Sequence, residues 1–236
     1  MNAPLIPRPN RPLQILTRFG LRLIRPILLP RVRRPVIETP DGLLLATIPT
    51  VFNPVVFRAG VMLGRAAGSV GAPKAPDRSR MLDMGCGTGI VGAYAARSGF
   101  DVTSVDINPD AVRVARANAI LNGLDDKITV LQGDLFSPLE GQTFDLVCFG
   151  PPYFKGPPKN ERLSRAFWSE NLMDKFARDL PGYLTPGARV LIHLSTDGDS
   201  EGFLTPAVEA GFEISVFTRK NYGNEIMTVY EMHLPG

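Results

Sequence analysis

The chain is poor in the residues that build disulfides and metal centres. Its 236 residues include two cysteines, two histidines and one tryptophan. Cys86 and Cys148 fall in segments expected to lie inside the protein, so reduced thiols are predicted rather than a disulfide. Neither His193 nor His233 is spaced with other ligands as zinc sites require, and no metal is predicted. Reduced thiols favour a reducing compartment, the cytoplasm.

Long apolar runs are also missing. A membrane-spanning helix needs about 20 predominantly apolar residues, and the longest candidate, residues 15–29, is interrupted by three arginines and a proline. The N-terminus lacks the apolar core and the small-residue cleavage site of a signal peptide. No membrane span is therefore predicted. The length of the chain suits one well-buried α/β domain with an appendage.

Acidic residues are absent from the first 37 positions, which hold eight arginines. Because the formal net charge of the whole chain is only +3, the remainder is acidic overall. Residues 13–29 have the spacing of an amphipathic helix, with arginines along one side. The apolar side consists of Leu16, Phe19, Leu23 and Ile27.

Residues 1–50 are therefore predicted to form a basic, proline- and arginine-rich N-terminal segment. We expect its helix to cover the main domain. Contact with an anionic surface, either nucleic acid or membrane, is the alternative.

From residue 51 to residue 236 the chain alternates apolar strands with helices. This alternation predicts a doubly wound α/β fold, in which right-handed crossovers join a parallel sheet. Strands are expected at 80–84, 102–106, 127–132, 144–149, 189–194, 212–219 and 226–233. Helices are expected at 90–98, from 109 to just before Gly123, near 167–180 and near 200–210.

Only six residues separate the last two strands, which is too few for a parallel crossover. These two strands are therefore expected to run antiparallel. The prediction is a mostly parallel seven-stranded sheet with one antiparallel strand near the C-terminus.

A glycine-rich turn follows the first strand of this sheet, in the segment Asp83-Met84-Gly85-Cys86-Gly87-Thr88-Gly89. Glycines let the backbone turn sharply and approach a ligand closely, and ligands bind open α/β sheets at this edge. Asp106 ends the second strand, where a carboxylate can accept hydrogen bonds from ribose hydroxyls. Residues 87–92 also satisfy the dinucleotide-binding pattern. These features taken alone are compatible with the binding of NAD.

Two further strand ends carry candidate contacts to a ligand. Asp134 follows the third strand and is placed to accept a hydrogen bond from an adenine amine, although a turn cap is an equally good interpretation. Leu135 and Ile107 are placed to pack on the two faces of the ring. The fourth strand ends in Phe149-Gly150-Pro151-Pro152-Tyr153-Phe154.

In this order, these motifs resemble class I S-adenosylmethionine-dependent methyltransferases. The likeness is greatest to the branch that methylates planar nitrogens, which includes protein glutamine-N5, adenine-N6 and guanine-N2 enzymes. Val51-Phe52-Asn53-Pro54 and Leu184-Thr185-Pro186-Gly187 resemble two further segments of that branch. The resemblance implies S-adenosylmethionine as cofactor, bound by Asp83, Gly85, Cys86, Gly87, Gly89, Asp106, Ile107, Asp134 and Leu135. It also implies that the methyl acceptor is held at Gly150, Pro151 and Tyr153.

The chain departs from that branch at Gly150, where the branch has Asn or Asp. In that branch the Asn or Asp side chain accepts a hydrogen bond from the target nitrogen. Glycine has no side-chain acceptor. Either a different residue supplies the acceptor, or the target is not the usual amide or exocyclic amine. We predict the second, nitrogen methylation of an acceptor other than the usual glutamine or adenine, either a small metabolite or a ribosomal or translation-factor protein. Residues 155–170, with four basic side chains, are expected to form a solvated loop at the pocket rim, an anionic acceptor being the alternative.

Two other functions stay open at this point. A nicotinamide-dependent oxidoreductase would use residues 87–92 and Asp106, but it leaves Asp134, residues 151–153 and the antiparallel strand unexplained. A degenerate methyltransferase fold that serves as a nucleic-acid-binding module would account for Gly150 and the arginine-rich start. The complete glycine turn argues against that module.

Overall fold

The computed structural model describes residues 6–72, 79–152, 154–155, 168–169 and 171–235. In these residues the helices are α1 (Arg11–Arg33), α2 (Ala59–Val70), α3 (Ile90–Arg97), α4 (Pro109–Leu121), α5 (Leu172–Asp179) and α6 (Ser200–Glu209). The strands are β1 (Val36–Glu38), β2 (Leu45–Thr47), β3 (Arg80–Met84), β4 (Asp101–Asp106), β5 (Ile128–Gln132), β6 (Phe144–Phe149), β7 (Phe154–Lys155), β8 (Trp168–Ser169), β9 (Leu184–Ser195), β10 (Glu213–Asn221) and β11 (Ile226–His233).

Seven strands form the central sheet in the order β10-β11-β9-β6-β3-β4-β5. Strands β5, β4, β3, β6 and β9 pair in parallel, and β11 runs antiparallel to both of its neighbours, β9 and β10. The prediction of a mostly parallel seven-stranded sheet with one antiparallel strand near the C-terminus is confirmed.

Helices cover both faces of this sheet. On one face, α2, α3 and α4 pack through small and branched side chains such as Ala67, Ala95 and Ala115. On the other face, α5 and α6 pack through larger side chains, including Phe176 and Phe203. The central strands are buried on both sides, which is why they read as short, nearly continuous apolar runs.

A two-stranded hairpin that the sequence analysis did not predict precedes the main sheet. β1 pairs antiparallel with β2, and the buried side chain of Asn118 in α4 holds this hairpin. Asn118 Oδ1 accepts from the Ala46 N–H (2.8 Å), and its Nδ2 donates to the carbonyls of Ala46 (3.0 Å) and Thr88 (2.9 Å). One asparagine thus joins the hairpin, α4 and the glycine-rich turn.

Helix α1 forms where a helix was predicted and extends further at both ends, with Asn10 as its N-cap. Its orientation differs from the expectation. The apolar side points to solvent rather than covering the main domain, because polar contacts made by other side chains fix the helix. Leu16, Phe19, Leu23 and Ile27 are 60–73% exposed. Among the described residues, none of the helices combines the length and the apolar character that crossing a bilayer requires.

Two predicted boundaries are wrong. The helix expected near residues 167–180 begins at Leu172, since Trp168–Ser169 forms β8, which pairs with β7. The strand expected at 189–194 begins earlier, at Leu184, because the proline-glycine segment at its start already continues the sheet beside β6.

Candidate active site

The glycine-rich turn adopts the left-handed backbone for which glycine is suited. Gly85, Gly87 and Gly89 have φ values of +65°, +54° and +77°. At Gly89 a Cβ would also lie 3.0 Å from the Ala115 Cβ of α4, so a larger residue would push the two helices apart. The turn directs α3 back over the sheet and leaves its backbone open toward the carboxyl edge.

Asp106 at the end of β4 holds this turn through backbone hydrogen bonds. Its Oδ2 accepts from the Gly87 N–H (2.8 Å), and its Oδ1 accepts from the Asn108 N–H (2.8 Å). Burial raises the pKa of Asp106 above its ordinary value, although these backbone donors oppose the shift. The carboxylate therefore fixes the geometry of the turn.

Asp83 is the more deeply buried of the two carboxyl groups. Its Oδ2 accepts from the Gly92 N–H in the first turn of α3 (3.0 Å). Burial, with a smaller repulsion from Asp106, raises the pKa of Asp83 to about 7. The group therefore titrates near neutral pH.

One cavity of about 1520 Å³ joins the strand ends. Of the residues predicted to bind the cofactor or the acceptor, those that line it are Asp83, Gly85, Cys86, Gly87, Asp106, Ile107, Asp134, Leu135, Gly150 and Pro151. Gly89 is not among the lining residues and acts through the packing of α3 on α4. Tyr153 and most of residues 155–170 lie outside the described residues.

Gly150 has room for a side chain. A Cβ built there would meet only the Leu63 Cδ2 atom of α2 within 4 Å, at an ordinary contact distance of 3.8 Å. Its backbone is also absent from the left-handed set that favours glycine. Neither packing nor backbone strain therefore requires glycine at this position.

His193, which the sequence predicted only as a strand residue, also lines the cavity. It lies in β9 and is fully buried. Burial lowers the pKa of His193 to about 4, so its imidazole is neutral near pH 7. A histidine near the carboxyl end of a strand, within the otherwise apolar stretch 190–194, was the signal that could have identified it.

A second feature missed at the sequence level is the support of residues 51–54. Asn53 is buried, and its Nδ2 donates to the Arg31 carbonyl and to Glu38 Oε1, both at 3.1 Å. Arg31 Nε donates to Glu38 Oε1, and Arg31 Nη2 donates to Glu38 Oε2. Burial opposes ionisation of Glu38, but the hydrogen bonds from Arg31 and Asn53 outweigh it and lower the pKa of Glu38. Because Val51, Phe52 and Pro54 line the cavity, the end of α1 and β1 support its wall.

Both cysteines are buried free thiols. Among the described residues, no group of three or more His, Cys, Asp or Glu side chains is arranged to hold a metal ion. The cavity is lined by backbone groups, by the carboxyl groups of Asp83, Asp106, Asp110 and Asp134, and by the neutral imidazole of His193.

A sheet with this strand order, and with a glycine turn and a carboxylate at its carboxyl edge, is the class I methyltransferase fold. The sequence matches the family described as "Methyltransferase small domain" over residues 72–173. One relative is a "Putative protein N5-glutamine methyltransferase" of Methanocaldococcus jannaschii, 31% identical over 147 residues, which cover 59% of this chain and 73% of the relative. Another is ribosomal RNA small subunit methyltransferase C of Alcanivorax borkumensis, 33% identical over 108 residues, which cover 46% of this chain and 30% of the relative.

Among solved structures, the fold is similar to the T. thermophilus 16S rRNA N2 G1207 methyltransferase in complex with AdoMet and guanosine. The TM-score is 0.64 at 19% identity, and the match covers 86% of this chain and 50% of that one. The chain thus spans half or less of the length of two of these three proteins. It belongs to the methyltransferase small-domain family, enzymes that transfer methyl groups from S-adenosylmethionine. Membership favours methyl transfer over the nicotinamide alternative.

Proposed function

We propose that the protein methylates a nitrogen atom of a planar acceptor bound beside Gly150 and Pro151. The observation that carries this proposal is a single cavity lined at one end by the glycine turn with Asp106 and at the other by Gly150 and Pro151. A cofactor and an acceptor bound at these two ends would share one cavity. Methyl transfer between two bound molecules needs such an arrangement.

The residues present fit S-adenosylmethionine. Around Gly85 and Gly87 no Cβ blocks the cavity, so the backbone can contact the amino acid part of the cofactor. Asp106 keeps acceptor lone pairs for the ribose hydroxyls in addition to the two backbone donors that it binds. Asp134 is proposed to accept a hydrogen bond from the adenine amine, and Ile107 and Leu135, which also line the cavity, are proposed to pack on the ring. Asp83 and Cys86 line the base of this end, and Gly89 shapes the turn.

S-adenosylmethionine, when bound, supplies a methyl group that the positive charge of the sulfonium makes reactive. The protein has to orient the acceptor so that its nitrogen lone pair points at that methyl group. The Pro151 carbonyl accepts a hydrogen bond from the acceptor N–H, which directs the lone pair inward. His193, neutral at physiological pH, adds a polar group to the same wall. Tyr153 follows Pro152 directly in the chain and is proposed to stack on the acceptor.

The acceptor is proposed to differ from glutamine and adenine. The relatives named above act, by their names, on protein glutamine and on ribosomal RNA. With glycine at position 150, one hydrogen bond worth about 0.5–1.5 kcal/mol is missing from recognition of an amide or an exocyclic amine. The space beside Leu63 is free for a bulkier or less polar acceptor. A small metabolite and a translation-related protein are the two candidates.

The test is a labelled-methyl assay on free small molecules, a glutamine-bearing peptide and adenine-containing RNA. We expect the wild type to methylate the peptide and the RNA poorly. Gly150→Asn restores the side-chain acceptor and should raise transfer to the peptide or the RNA by up to about tenfold, the equivalent of one hydrogen bond. Gly150→Ala is the control, because it adds a Cβ at the same position without an amide.

Two results would contradict this proposal in different ways. Efficient wild-type methylation of the glutamine peptide or of adenine would show that the missing side chain is unimportant. Tight binding of S-adenosylmethionine without transfer to any acceptor class, together with nucleic-acid binding, would instead support the degenerate binding module.

We further propose that residues 51–236 form the methyltransferase domain and that residues 1–50 form a basic N-terminal segment. The proposed compartment is the cytoplasm, which the two free thiols support. Fractionation with a compartment-specific marker would test this location.

A further inference from the structure

Helix α1 carries an exposed apolar stripe along most of its length. The side chains of Leu16, Phe19, Leu23 and Ile27 are spaced by three or four residues and are 68%, 60%, 68% and 73% exposed. Such a spacing places them on one face of the helix. Single exposed apolar residues are ordinary, but a continuous row of four large ones marks a contact surface.

The stripe is not the face that attaches α1 to the protein. Gln14 Nε2 donates to the Asn224 carbonyl (3.0 Å), and Arg18 Nη2 pairs with Asp197 Oδ1 (2.6 Å). At the other end, Arg31 binds Glu38. These polar contacts fix the rotation of the helix, so the apolar stripe stays turned outward.

Positive charge lies beside the stripe. Arg11, Arg18 and Arg22 follow helical spacing along the neighbouring flank, and Arg11 and Arg22 are exposed. Arg33 and Arg34 add exposed charge where the helix ends. No acidic residue occurs before Glu38, and Glu38 is already bound by Arg31. The surface thus combines an apolar row with the exposed positive charges of Arg11, Arg22, Arg33 and Arg34.

From this combination we infer that α1 is an interfacial helix that binds the surface of a bilayer containing anionic lipids. Apolar side chains that enter the acyl boundary and arginines that contact lipid phosphates would use both parts of the surface. Nucleic acid would engage the arginines and leave the stripe in water. A second copy of the chain would bring the same positive charges together.

The position of α1 relates the bilayer to the cavity. Asp197 follows the end of β9, and Asn224 lies in the turn before β11. Both therefore lie at the carboxyl edge of the sheet, where the glycine turn and Gly150 also lie. A bilayer bound to α1 faces the same edge as the cavity.

The test measures co-sedimentation of the full chain with vesicles. One set contains phosphatidylcholine alone, and the other contains about one third phosphatidylglycerol, to supply anionic headgroups. We expect binding to the anionic set at least about tenfold tighter and weakened by salt. Replacing the stripe with serine (Leu16→Ser, Phe19→Ser, Leu23→Ser, Ile27→Ser) should abolish binding. The double variant Arg11→Gln, Arg22→Gln should weaken it by about fivefold for each arginine.

The matched control removes exposed apolar side chains elsewhere. Ile120 and Leu121 in α4 are 65% and 47% exposed, so Ile120→Ser, Leu121→Ser should bind vesicles like the wild type. Thermal unfolding and binding of S-adenosylhomocysteine show whether each variant is folded. The inference is wrong if the folded stripe variant still binds anionic vesicles. It is equally wrong if the wild type does not bind anionic vesicles. RNA binding or dimerisation that is lost in the stripe variant, the latter measured by light scattering, would then show that the stripe binds a different partner.

Discussion

At the scale of single residues, two buried carboxyl groups control the glycine-rich turn. Asp106 binds the backbone of the turn and Asp83 binds the backbone of α3. Asp106 accepts from the first residue of the segment 87–92, and Asp83 accepts from the last. Their loss should therefore have different consequences, one for ligand binding and one for stability.

Asp106→Ala should weaken binding of S-adenosylhomocysteine by about 2–3 kcal/mol, or about 30- to 150-fold in Kd, because hydrogen bonds to a charged group are worth about 1.5–3 kcal/mol each. The variant loses the proposed contacts to the ribose and frees the Gly87 N–H. Isothermal titration calorimetry measures the effect. Asp125→Ala, a change at an exposed carboxylate, should bind like the wild type. An unchanged Kd in Asp106→Ala would remove Asp106 from the proposed site.

Asp83 should make the stability of the protein depend on pH near neutrality. Its pKa is about 7 in the folded protein and about 3.9 in an unfolded chain. Between these values the folded state holds a proton that the unfolded state has released. The stability contributed by this group is fully present below about pH 4, and it is lost as the pH rises to about 7.

Asp83→Asn cannot titrate, and its Oδ1 can still accept from the Gly92 N–H. The difference in unfolding free energy between this variant and the wild type should therefore grow in favour of the variant by up to about 1.4 kcal/mol per pH unit between pH 4 and 7, and then level off. Urea denaturation at pH 5, 6, 7 and 8 measures it. Asp125→Asn is the control. Parallel pH profiles for Asp83→Asn and the wild type would show that Asp83 is already ionised when folded.

At the scale of elements, the contact of α1 and β1 with residues 51–54 connects the N-terminal segment to the cavity. Glu38 is 7% exposed and depends on Arg31 and Asn53 for its compensation. A buried carboxylate that loses its cationic partner keeps its desolvation cost. The Arg31–Glu38 pair is therefore expected to contribute more to the stability of the fold than the exposed ion pairs of the surface.

Arg31→Met should destabilise the fold by about 1.5–3 kcal/mol, the worth of hydrogen bonds to a charged group. It should also loosen residues 51–54 and raise the Kd for S-adenosylhomocysteine. Arg33→Met is the matched control, because Arg33 is exposed and two residues away. Chemical denaturation and calorimetry measure both quantities. Equal behaviour of the two variants would mean that Glu38 is supported by Asn53 alone.

Elements that depend on local sequence could be predicted, whereas contacts between distant segments could not. The glycine turn and Asp106 are recognisable because each follows its own strand directly. The orientation of α1 depends on Asn224 and Asp197, which are 210 and 179 residues away from their partners in the chain. Amphipathic spacing shows that two faces differ, but it does not show which face meets the protein.

The same reasoning explains what was missed in the cavity. His193 comes from the apolar stretch 190–194 of β9, and only the strand order β9-β6-β3 brings it beside Gly150 and the glycine turn. The antiparallel strand, in contrast, could be predicted, since its connection to β10 is too short for a crossover. Chain connectivity is visible in the sequence, and side-chain proximity across the sheet is not.

At the scale of the whole molecule, the N-terminal segment has two parts that contact the rest of the protein in different ways. Residues before about position 29 contact the body through the partly buried side chain of Ile6, which packs against the core, and through surface contacts such as Gln14 with Asn224 and Arg18 with Asp197. Surface ion pairs of this kind contribute about 0–1 kcal/mol. Arg31, in contrast, compensates a buried carboxylate and contacts Asn53 through its carbonyl. Residues before about position 29 can thus be removed while Arg31, which supports the wall of the cavity through Glu38 and Asn53, stays in place.

Two truncations test this division. Removing residues 1–28 loses surface contacts worth about 0–1 kcal/mol and the packing of the partly buried Ile6 side chain, worth up to about 1.5 kcal/mol. It should therefore lower the unfolding free energy by no more than about 2.5 kcal/mol, and it should leave the Kd for S-adenosylhomocysteine unchanged. Removing residues 1–34 also removes Arg31 and leaves Glu38 buried without its cation. This longer deletion should cost about 1.5–3 kcal/mol more and weaken cofactor binding. Urea denaturation and calorimetry on both truncations provide the comparison. If the shorter deletion already abolishes folding or cofactor binding, α1 is an integral part of the methyltransferase body rather than an attached surface helix.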